Sequence, residues 1–250
     1  MQGIRRRIVR SLEMRRRVPV LMEEDAMKVF RELSRFERGL WIGSVIVVTA
    51  AFLLTGSPDV LTLAASLIGV TALVFVAKGY VLGQVLTVVF AVFYGVISYF
   101  QHYYGEMITY LGMTSPIALM AAVEWLRHPY EGTKVVQIRR LSGKQRLLMW
   151  MLTLAVTAVF FFLLRALGNA SLPLSTVSIA TSFLASYLTL MRSPAYALAY
   201  AANDGVLIAL WVIAALESPG CAPMIVCFAM FLLNDCYGFV NWRRMMRSQQ

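Results

Sequence analysis

The sequence predicts an all-α polytopic membrane protein with about eight transmembrane helices. Hydrophobic residues make up 59% of the chain and charged residues only 14%, a balance that soluble domains do not have. Continuously apolar runs of about 20 residues recur, and a helix of that length is needed to cross the hydrocarbon core of a bilayer. These runs lack the every-second-residue alternation of barrel strands, so we expect them to be helices.

Eight apolar runs define the predicted spans. In chain order they cover residues 39–56, 59–77, 80–101, 106–126, 146–166, 172–190, 195–216 and 221–242. The remaining long segments are a basic tail over 1–38, a polar loop over 127–145 and a short tail over 243–250. The other connections are too short to hold a folded domain outside the membrane.

Basic residues are divided very unevenly between the two sides of this arrangement. With eight spans, 22 of the 23 Lys and Arg residues fall on one side, and only Arg165 falls on the other. Because cytoplasmic loops carry an excess of Lys and Arg, both termini are expected in the cytoplasm. The arginine-rich segment IRRRIVRSLEMRRR is interpreted as a topogenic tail that lies on anionic headgroups. A transit peptide or a nucleic-acid arm is disfavoured, because acidic residues and a membrane span follow the segment.

An internal repeat is indicated by a shift of 117 residues along the chain. The shift lays residues 59–126 over 172–242 and superposes Tyr94 on Trp211, Met107 on Met224, Met113 on Met230 and Trp125 on Trp242. We therefore predict two three-helix repeats of the same orientation, joined by the span 146–166, with 39–56 as an additional N-terminal helix. In transporters built from parallel repeats, the substrate binds between the repeats near the membrane midplane.

Polar side chains inside the predicted spans are the candidates for a binding site. An acid at the centre of a transmembrane helix costs about 2.5 to 3.5 kcal/mol, so such residues tend to be functional. The seventh span places Tyr200, Asp204 and Trp211 on one helical face, with Tyr196 and Asn203 beside it. The alternative role for the amide and the carboxylate is hydrogen bonding to a neighbouring helix.

Further candidates come from the eighth span and from the first repeat. The eighth span contains the adjacent pair Asn234 and Asp235, for which ligand binding and interhelical hydrogen bonding are both open. In the first repeat the candidates are Gln84, Tyr94 and Tyr110. These residues complete the predicted substrate site.

Three other residues carry structural expectations. Glu106 lies near the outer end of its span, where simple solvation is one explanation for it. Pro116 is expected to kink its helix and open a cavity. Trp242 lies where the last span leaves the membrane and is expected to be an interfacial anchor.

Catalytic and metal-binding motifs do not occur in the sequence. There is no GxSxG, P-loop or HExxH segment, and the three cysteines form no CxxC or Cys/His cluster. We therefore predict neither an enzyme nor a site for a cofactor or a metal.

Two stretches resemble the PnuC family of bacterial vitamin transporters. One covers residues 77–129 and contains GYVLGQVLTVVFAVFYG and YGEM, and the other covers the last two spans with YAANDG and LLNDCYGFVNW. The resemblance runs from about residue 59 to 246 in the order of the spans. It implies a three-plus-one-plus-three arrangement related to the SWEET sugar transporters, in the bacterial cytoplasmic membrane. It also implies uptake of nicotinamide riboside by facilitated diffusion, followed by trapping through a cytoplasmic kinase.

The resemblance extends to individual positions. The family's LvakG-type turn is matched at Val76–Gly79, its aromatic position at Tyr94 and its YGEM segment at Tyr104–Met107. Its final Gly-x-x-x-Trp corresponds to Gly238 and Trp242.

The family's Trp-x-x-x-Asn/Asp segment corresponds to Tyr200, Asn203 and Asp204, with Tyr200 in place of the usual Trp. The chain also departs from the family pattern after YGEM, where residues 109–110 replace Leu-Asn, and at Ala122, which replaces a Trp. These departures bear on which vitamin is carried.

The chemistry of the candidate residues suits nicotinamide riboside. Aromatic faces can hold its pyridinium ring through cation–π contacts, worth about 2 kcal/mol when desolvated. Asn203, Gln84 and Asn234 supply donors and acceptors for its ribose hydroxyls and carboxamide. A buried Asp204 or Asp235 would balance the cationic charge.

Other functions remain open on the sequence alone. One is a related transporter for another vitamin or nucleoside, such as thiamine, riboflavin or a deoxynucleoside. Another is a non-transporting sensor or scaffold whose arginine-rich tail docks a partner. The sequence also leaves open whether transport is coupled to an ion and whether the chain forms a homo-oligomer.

Overall fold

The computed structural model describes residues 26–55, 59–169 and 171–250. Within these ranges eight helices are long and apolar enough to cross a membrane, and the only β-pairing is two isolated bridges that involve one loop. The predicted all-α polytopic membrane fold is therefore confirmed. Most of the basic tail predicted over 1–38 lies outside the described residues.

Ten helices and two irregular turns follow one another along the described chain. They are α1 (Ala26–Arg31), α2 (Arg35–Leu54), α3 (Val60–Ala77), α4 (Val81–Phe100), α5 (Tyr104–Ile108), a π-helical turn (Thr109–Thr114), α6 (Ser115–Arg127), α7 (Gly143–Ala166), α8 (Leu172–Leu190), α9 (Tyr196–Glu217), a 3₁₀ turn (Pro219–Cys221) and α10 (Ala222–Ser248). The fourth span consists of α5, the π-helical turn and α6. Helix α10 continues to Ser248, past residue 242, where the last predicted span ends.

The chain divides into two compact units, with the boundary between Ile42 and Gly43. In the first unit, Ser34 and Glu37 form a capping box at the start of α2. The Ser34 hydroxyl accepts from the Glu37 amide at 3.2 Å, and the Glu37 carboxylate accepts from the Ser34 amide at 2.7 Å. This reciprocal pair satisfies two amides that would otherwise lack partners, which explains why α2 begins at Arg35.

Six helices of the second unit form a closed ring. Going round the ring, α3 packs on α4, α4 on α6, α6 on α8, α8 on α9, α9 on α10, and α10 on α3. The first predicted repeat contains α3, α4 and α6, and the second contains α8, α9 and α10. Exchanging the two repeats leaves the order of neighbours unchanged, as expected for equivalent repeats. Helix α7 lies outside the ring against α8 and α5, and its exposed side chains, such as Trp150, Leu154 and Phe162, are those of a lipid-facing helix.

The loop between α6 and α7 joins the two halves of the ring at the end that carries most of the basic residues, here called the basic end. The Val136 amide donates to the Gly79 carbonyl at 3.0 Å, and the Arg139 amide donates to the Arg192 carbonyl at 3.1 Å. Gly79 and Arg192 both follow the first helix of a predicted repeat, and both have left-handed backbones with φ of +72° and +58°. Near the C-terminus, Gln249 also donates to the Val136 carbonyl at 3.2 Å.

Arg192 occupies a backbone conformation that favours glycine, at a cost of about 1–2 kcal/mol for other residues. Its side chain is buried, with Nη1 donating to the Gln137 carbonyl at 3.3 Å and Nη2 at 3.6 Å from the Glu124 carboxylate. Burial lowers the pKa of the Arg192 guanidinium from its ordinary value, and the charge of Glu124 opposes this shift. These two contacts hold the guanidinium in place, whereas Arg192 Nε has no hydrogen-bond partner among the described residues.

We expect Arg192→Gly to destabilise the protein less than Arg192→Ala. Both substitutions remove the guanidinium contacts, but only glycine relieves the left-handed backbone, which should favour it by about 1 kcal/mol. Unfolding of the purified variants in detergent, followed by temperature or denaturant, measures the difference. Equal stability of the two variants would show that the backbone at this turn carries no strain.

Candidate functional site

A pocket lies inside the ring of six helices, between α3, α4, the π-helical turn, α9 and α10. Its wall is formed by Gly69, Ala72, Leu73, Val76, Gln84, Thr87, Phe90, Tyr110, Thr114, Tyr200, Asn203, Asp204, Phe231 and Asp235. An apolar and aromatic wall with a few polar groups is typical of small-molecule sites. The cavity measures ≈ 40 Å³, which is room for a few water molecules. A nucleoside-sized solute can therefore enter only after side chains move.

Six of the ten predicted site residues line this pocket. They are Gln84, Tyr110, Tyr200, Asn203, Asp204 and Asp235. The structure thus brings together residues from both predicted repeats, and their role in binding stays a prediction. The other four lie elsewhere in the ring, and their positions follow below.

Asp204 and Asp235 come from adjacent helices, and both line the pocket. Both are buried. The second carboxylate oxygen of Asp204 has no hydrogen-bond partner, and the ion pairs found in the described ranges include neither residue. Two ionised carboxylates in one pocket repel each other, so a cationic group between them would stabilise their charged forms.

Asn203 is held by three hydroxyl groups of α8. Thr181 Oγ1 donates to Asn203 Oδ1 at 2.8 Å, Ser182 Oγ at 3.0 Å and Ser178 Oγ at 3.4 Å. The carbonyl end of this amide is therefore bonded to the protein. The NH₂ end is the part of the side chain that remains for the pocket.

Sequence reasoning missed the polar face of α8 that makes these contacts. Ser175, Ser178, Ser182 and Ser186 are all buried, and Ser186 lies 3.4 Å from the Tyr200 hydroxyl. The signal was present in the sequence, because serines at i, i+3, i+7 and i+11 share one face of an otherwise apolar helix. We call this set the serine stripe.

Tyr94 and Trp211 meet on the side of the pocket away from the basic end. Trp211 Nε1 donates to the Tyr94 hydroxyl at 2.9 Å, and both side chains are buried. The Tyr94 ring also packs edge-on against Tyr110, with centroids 4.4 Å apart. Tyr94 and Trp211 are equivalent positions in the 117-residue shift, and we call them the outer aromatic pair.

Trp125 and Trp242, a second pair of equivalent positions, meet at the basic end with ring centroids 5.4 Å apart. Trp125 Nε1 donates to the Thr189 carbonyl at 3.1 Å, and Trp242 Nε1 donates to the Val76 carbonyl at 2.9 Å. Trp125 thus binds the last turn of α8, and Trp242 binds the last turn of α3. Each indole of this inner aromatic pair therefore contacts the other predicted repeat. Tyr196 packs on Trp242 with centroids 4.6 Å apart. Trp242 is 0% exposed, so the predicted interfacial anchor is wrong.

Asn234 contacts a neighbouring helix instead of lining the pocket. Its Nδ2 donates to the Ser44 hydroxyl at 3.1 Å and to the Met230 carbonyl at 2.7 Å. This is the interhelical arrangement that the sequence left open for Asn234.

The fourth span contains a π-helical turn directly before Ser115 and Pro116. Pro116 has no N–H for the carbonyl four residues earlier, so a regular α-helix cannot continue through this turn. The wider π-helical geometry, which often occurs at functional sites, brings Tyr110 and Thr114 to the pocket. The kink at Pro116 stays a prediction.

Glu106 is 0% exposed, so solvation does not explain it. One oxygen of its carboxylate accepts from Ser178 Oγ at 3.3 Å. The side chain therefore points into the protein, next to the hydroxyl groups that hold Asn203.

We expect the outer aromatic pair to show energetic coupling. Tyr94→Phe and Trp211→Phe should each lower stability, because each leaves a buried polar group of the other residue without a partner. The double variant should lose less than the sum of the single variants, by about 1 kcal/mol. Unfolding of all four proteins in detergent measures this coupling.

The matched control is a second set of single and double variants, in which Tyr103→Phe takes the place of Tyr94→Phe and is combined with Trp211→Phe. The Tyr103 ring contacts Trp211 at a centroid distance of 5.6 Å, and phenylalanine keeps that ring. Additive losses are expected in the control cycle, and additive losses in the Tyr94 cycle would contradict a hydrogen bond that contributes to stability.

Comparisons with known proteins agree with this architecture. A family model described as nicotinamide mononucleotide transporter matches residues 59–244. The nicotinamide riboside transporter PnuC of Neisseria mucosa is 24% identical, with 88% of this chain and 85% of that protein covered. The protein of that name from Haemophilus influenzae is 23% identical, with 83% and 90% covered.

The crystal structure of the vitamin B3 transporter PnuC has the same fold, with a TM-score of 0.77 at 24% identity and coverage of 87% of this chain and 94% of that chain. The family match includes every residue that lines the pocket. The chain belongs to the nicotinamide mononucleotide transporter family.

Proposed function

We propose that the protein carries nicotinamide riboside across the bacterial cytoplasmic membrane by facilitated diffusion, and that a cytoplasmic kinase then traps the solute. The relatives from Neisseria and Haemophilus are named for this substrate. The observation that carries the proposal is the pocket, where two buried carboxyl groups lie among aromatic rings without a basic side chain in the wall. Such a site favours a cationic aromatic solute.

Nicotinamide riboside has the groups that this wall can bind. Its pyridinium ring carries a positive charge, which Asp204 and Asp235 would balance. The rings of Tyr110 and Tyr200 offer faces for cation–π contacts. The amides of Gln84 and Asn203 supply hydrogen bonds for the ribose hydroxyls and the carboxamide.

Transport requires that the pocket open to one side of the membrane at a time. The outer aromatic pair closes the side away from the basic end, and the inner aromatic pair closes the basic end. Because the cavity is small, side chains of its wall must move before the solute is bound. The excess of Lys and Arg at the basic end supports a cytoplasmic location for this end and for both termini.

We expect Asp204→Ala and Tyr200→Ala to weaken the binding of nicotinamide riboside by at least about tenfold, since each removes a contact to the cation worth about 2 kcal/mol. Isothermal titration calorimetry of the purified proteins measures the dissociation constants. Tyr99→Ala is the control, because Tyr99 is 53% exposed and lies outside the pocket.

A matched ligand tests the charge directly. Reduced nicotinamide riboside has nearly the same shape but no positive charge, and it should bind at least about tenfold more weakly to the wild type. If Asp204→Ala and Tyr200→Ala both bind nicotinamide riboside as tightly as the wild type does, these two residues do not form its binding site. Tighter binding of thiamine or riboflavin in the same assay would reassign the solute.

We expect reconstituted protein to equilibrate radiolabelled nicotinamide riboside across a liposome membrane without accumulating it. A carrier without a coupled ion moves this cationic solute only down its own electrochemical gradient, so at zero membrane potential the internal concentration should rise to the external value and stop. Proton or sodium gradients imposed with the potential held at zero should leave this end point unchanged. Accumulation above the external concentration at zero potential would show ion coupling instead.

A further inference from the structure

Short helix α5 is held closely against α8, on the outer side of the pocket. The Gly105 amide donates to Asn169 Oδ1 at 3.2 Å, and Asn169 Nδ2 donates to Ser175 Oγ at 2.9 Å. A Cβ atom at Gly105 would lie 3.1 Å from the Cβ of Ser175 and 3.2 Å from Leu164, so the approach favours glycine. This contact directs the next side chain, Glu106, at the serine stripe.

Glu106 does not line the pocket, and it does not neutralise any basic side chain that the structure describes. It is fully buried, one carboxylate oxygen has no hydrogen-bond partner, and among the described residues it makes no ion pair. A carboxyl group buried with so few partners is costly, which points to a role other than stability.

Ser178 connects Glu106 to the pocket. Its hydroxyl lies 3.3 Å from the Glu106 carboxylate and 3.4 Å from Asn203 Oδ1, and its single proton serves both acceptors. Glu106 therefore fixes the Ser178 rotamer beside Asn203. With Thr181 and Ser182 on the same oxygen, the carbonyl end of the Asn203 amide is held away from the pocket.

We propose that Glu106 is a positioning residue that acts through Ser178 to hold the Asn203 amide with its NH₂ group toward the pocket. That group then binds a hydrogen-bond acceptor of the transported solute. Loss of Glu106 frees the Ser178 hydroxyl and leaves the amide to Thr181 and Ser182 alone, so the donor is held less firmly toward the pocket. The solute part of this inference rests on the proposed function, whereas the relay from Glu106 to Asn203 does not.

The relay is tested first without any solute. The chain has four asparagines, at positions 169, 203, 234 and 241, so selective ¹⁵N-asparagine labelling gives a side-chain amide spectrum in detergent that single substitutions can assign. Glu106→Ala and Ser178→Ala should both shift the Asn203 amide resonance. The control Thr176→Ala removes a hydroxyl bonded to its own helix, at the Leu172 carbonyl 2.7 Å away, and should leave the resonance in place. An unmoved resonance in both relay variants overturns the proposal.

The second measurement is the affinity for nicotinamide riboside by calorimetry. Glu106→Ala should weaken binding by about tenfold, and Glu106→Gln should bind nearly as the wild type does, because its carbonyl still accepts from Ser178. In an Asn203→Ala background, Glu106→Ala should cause no further loss.

Two outcomes of this measurement overturn the positioning role. Equal losses in Glu106→Gln and Glu106→Ala would mean that the charge itself acts on the solute. Additive losses in the Asn203→Ala background would mean that Glu106 acts independently of Asn203. If the wild type binds no nicotinamide riboside, the proposed function fails, and the amide spectrum still decides the relay.

Discussion

Every polar group inside the hydrocarbon region has to find its partner within the protein, because no water is present to replace it. The structure meets this constraint mostly within single helices. The hydroxyls of Ser66, Thr87 and Thr153 each donate to the carbonyl four residues earlier in their own helix. Other polar groups bond across helices, both at the pocket, as Asn203 does, and away from it, as Trp125 and Trp242 do at the basic end.

The two aromatic pairs explain why the pocket lies where it does. Each pair joins positions that are equivalent in the predicted repeats, and equivalent positions touch each other only near the axis that relates them, as at a two-fold interface. Trp125 and Trp242 each bind the opposite half through an indole N–H. The pocket lies between the pairs, which is the place where parallel-repeat transporters bind substrate.

The fourth span connects these features. Its π-helical turn supplies Tyr110 and Thr114 to the pocket, while Gly105 and Glu106, just before the turn, bond to α8 and the residues leading into it. The serine stripe of α8 contacts this span on one side and Asn203 on the other. A movement of α5 relative to α8 would therefore change the position of Asn203 at the pocket, through hydrogen bonds as well as through packing.

The sequence alone determined the properties that depend on single segments. Apolar length identified the eight spans, because crossing a bilayer requires a helix of a certain length whatever it packs against. The uneven distribution of Lys and Arg and the polar residues of the seventh span were likewise visible, since each is a property of composition. The candidates Tyr200, Asn203 and Asp204 could be named on that basis, and the structure places all three at the pocket.

Only the tertiary structure decided which way each helix faces. A span that is apolar all round carries no signal of its inward side, so the rotation of a helix depends on distant residues that pack against it. For this reason Asn234 bonds to Ser44, Trp242 is buried against Val76, and Glu106 reaches Ser178. None of these partners is near in sequence, and hydropathy, which is local, cannot identify them.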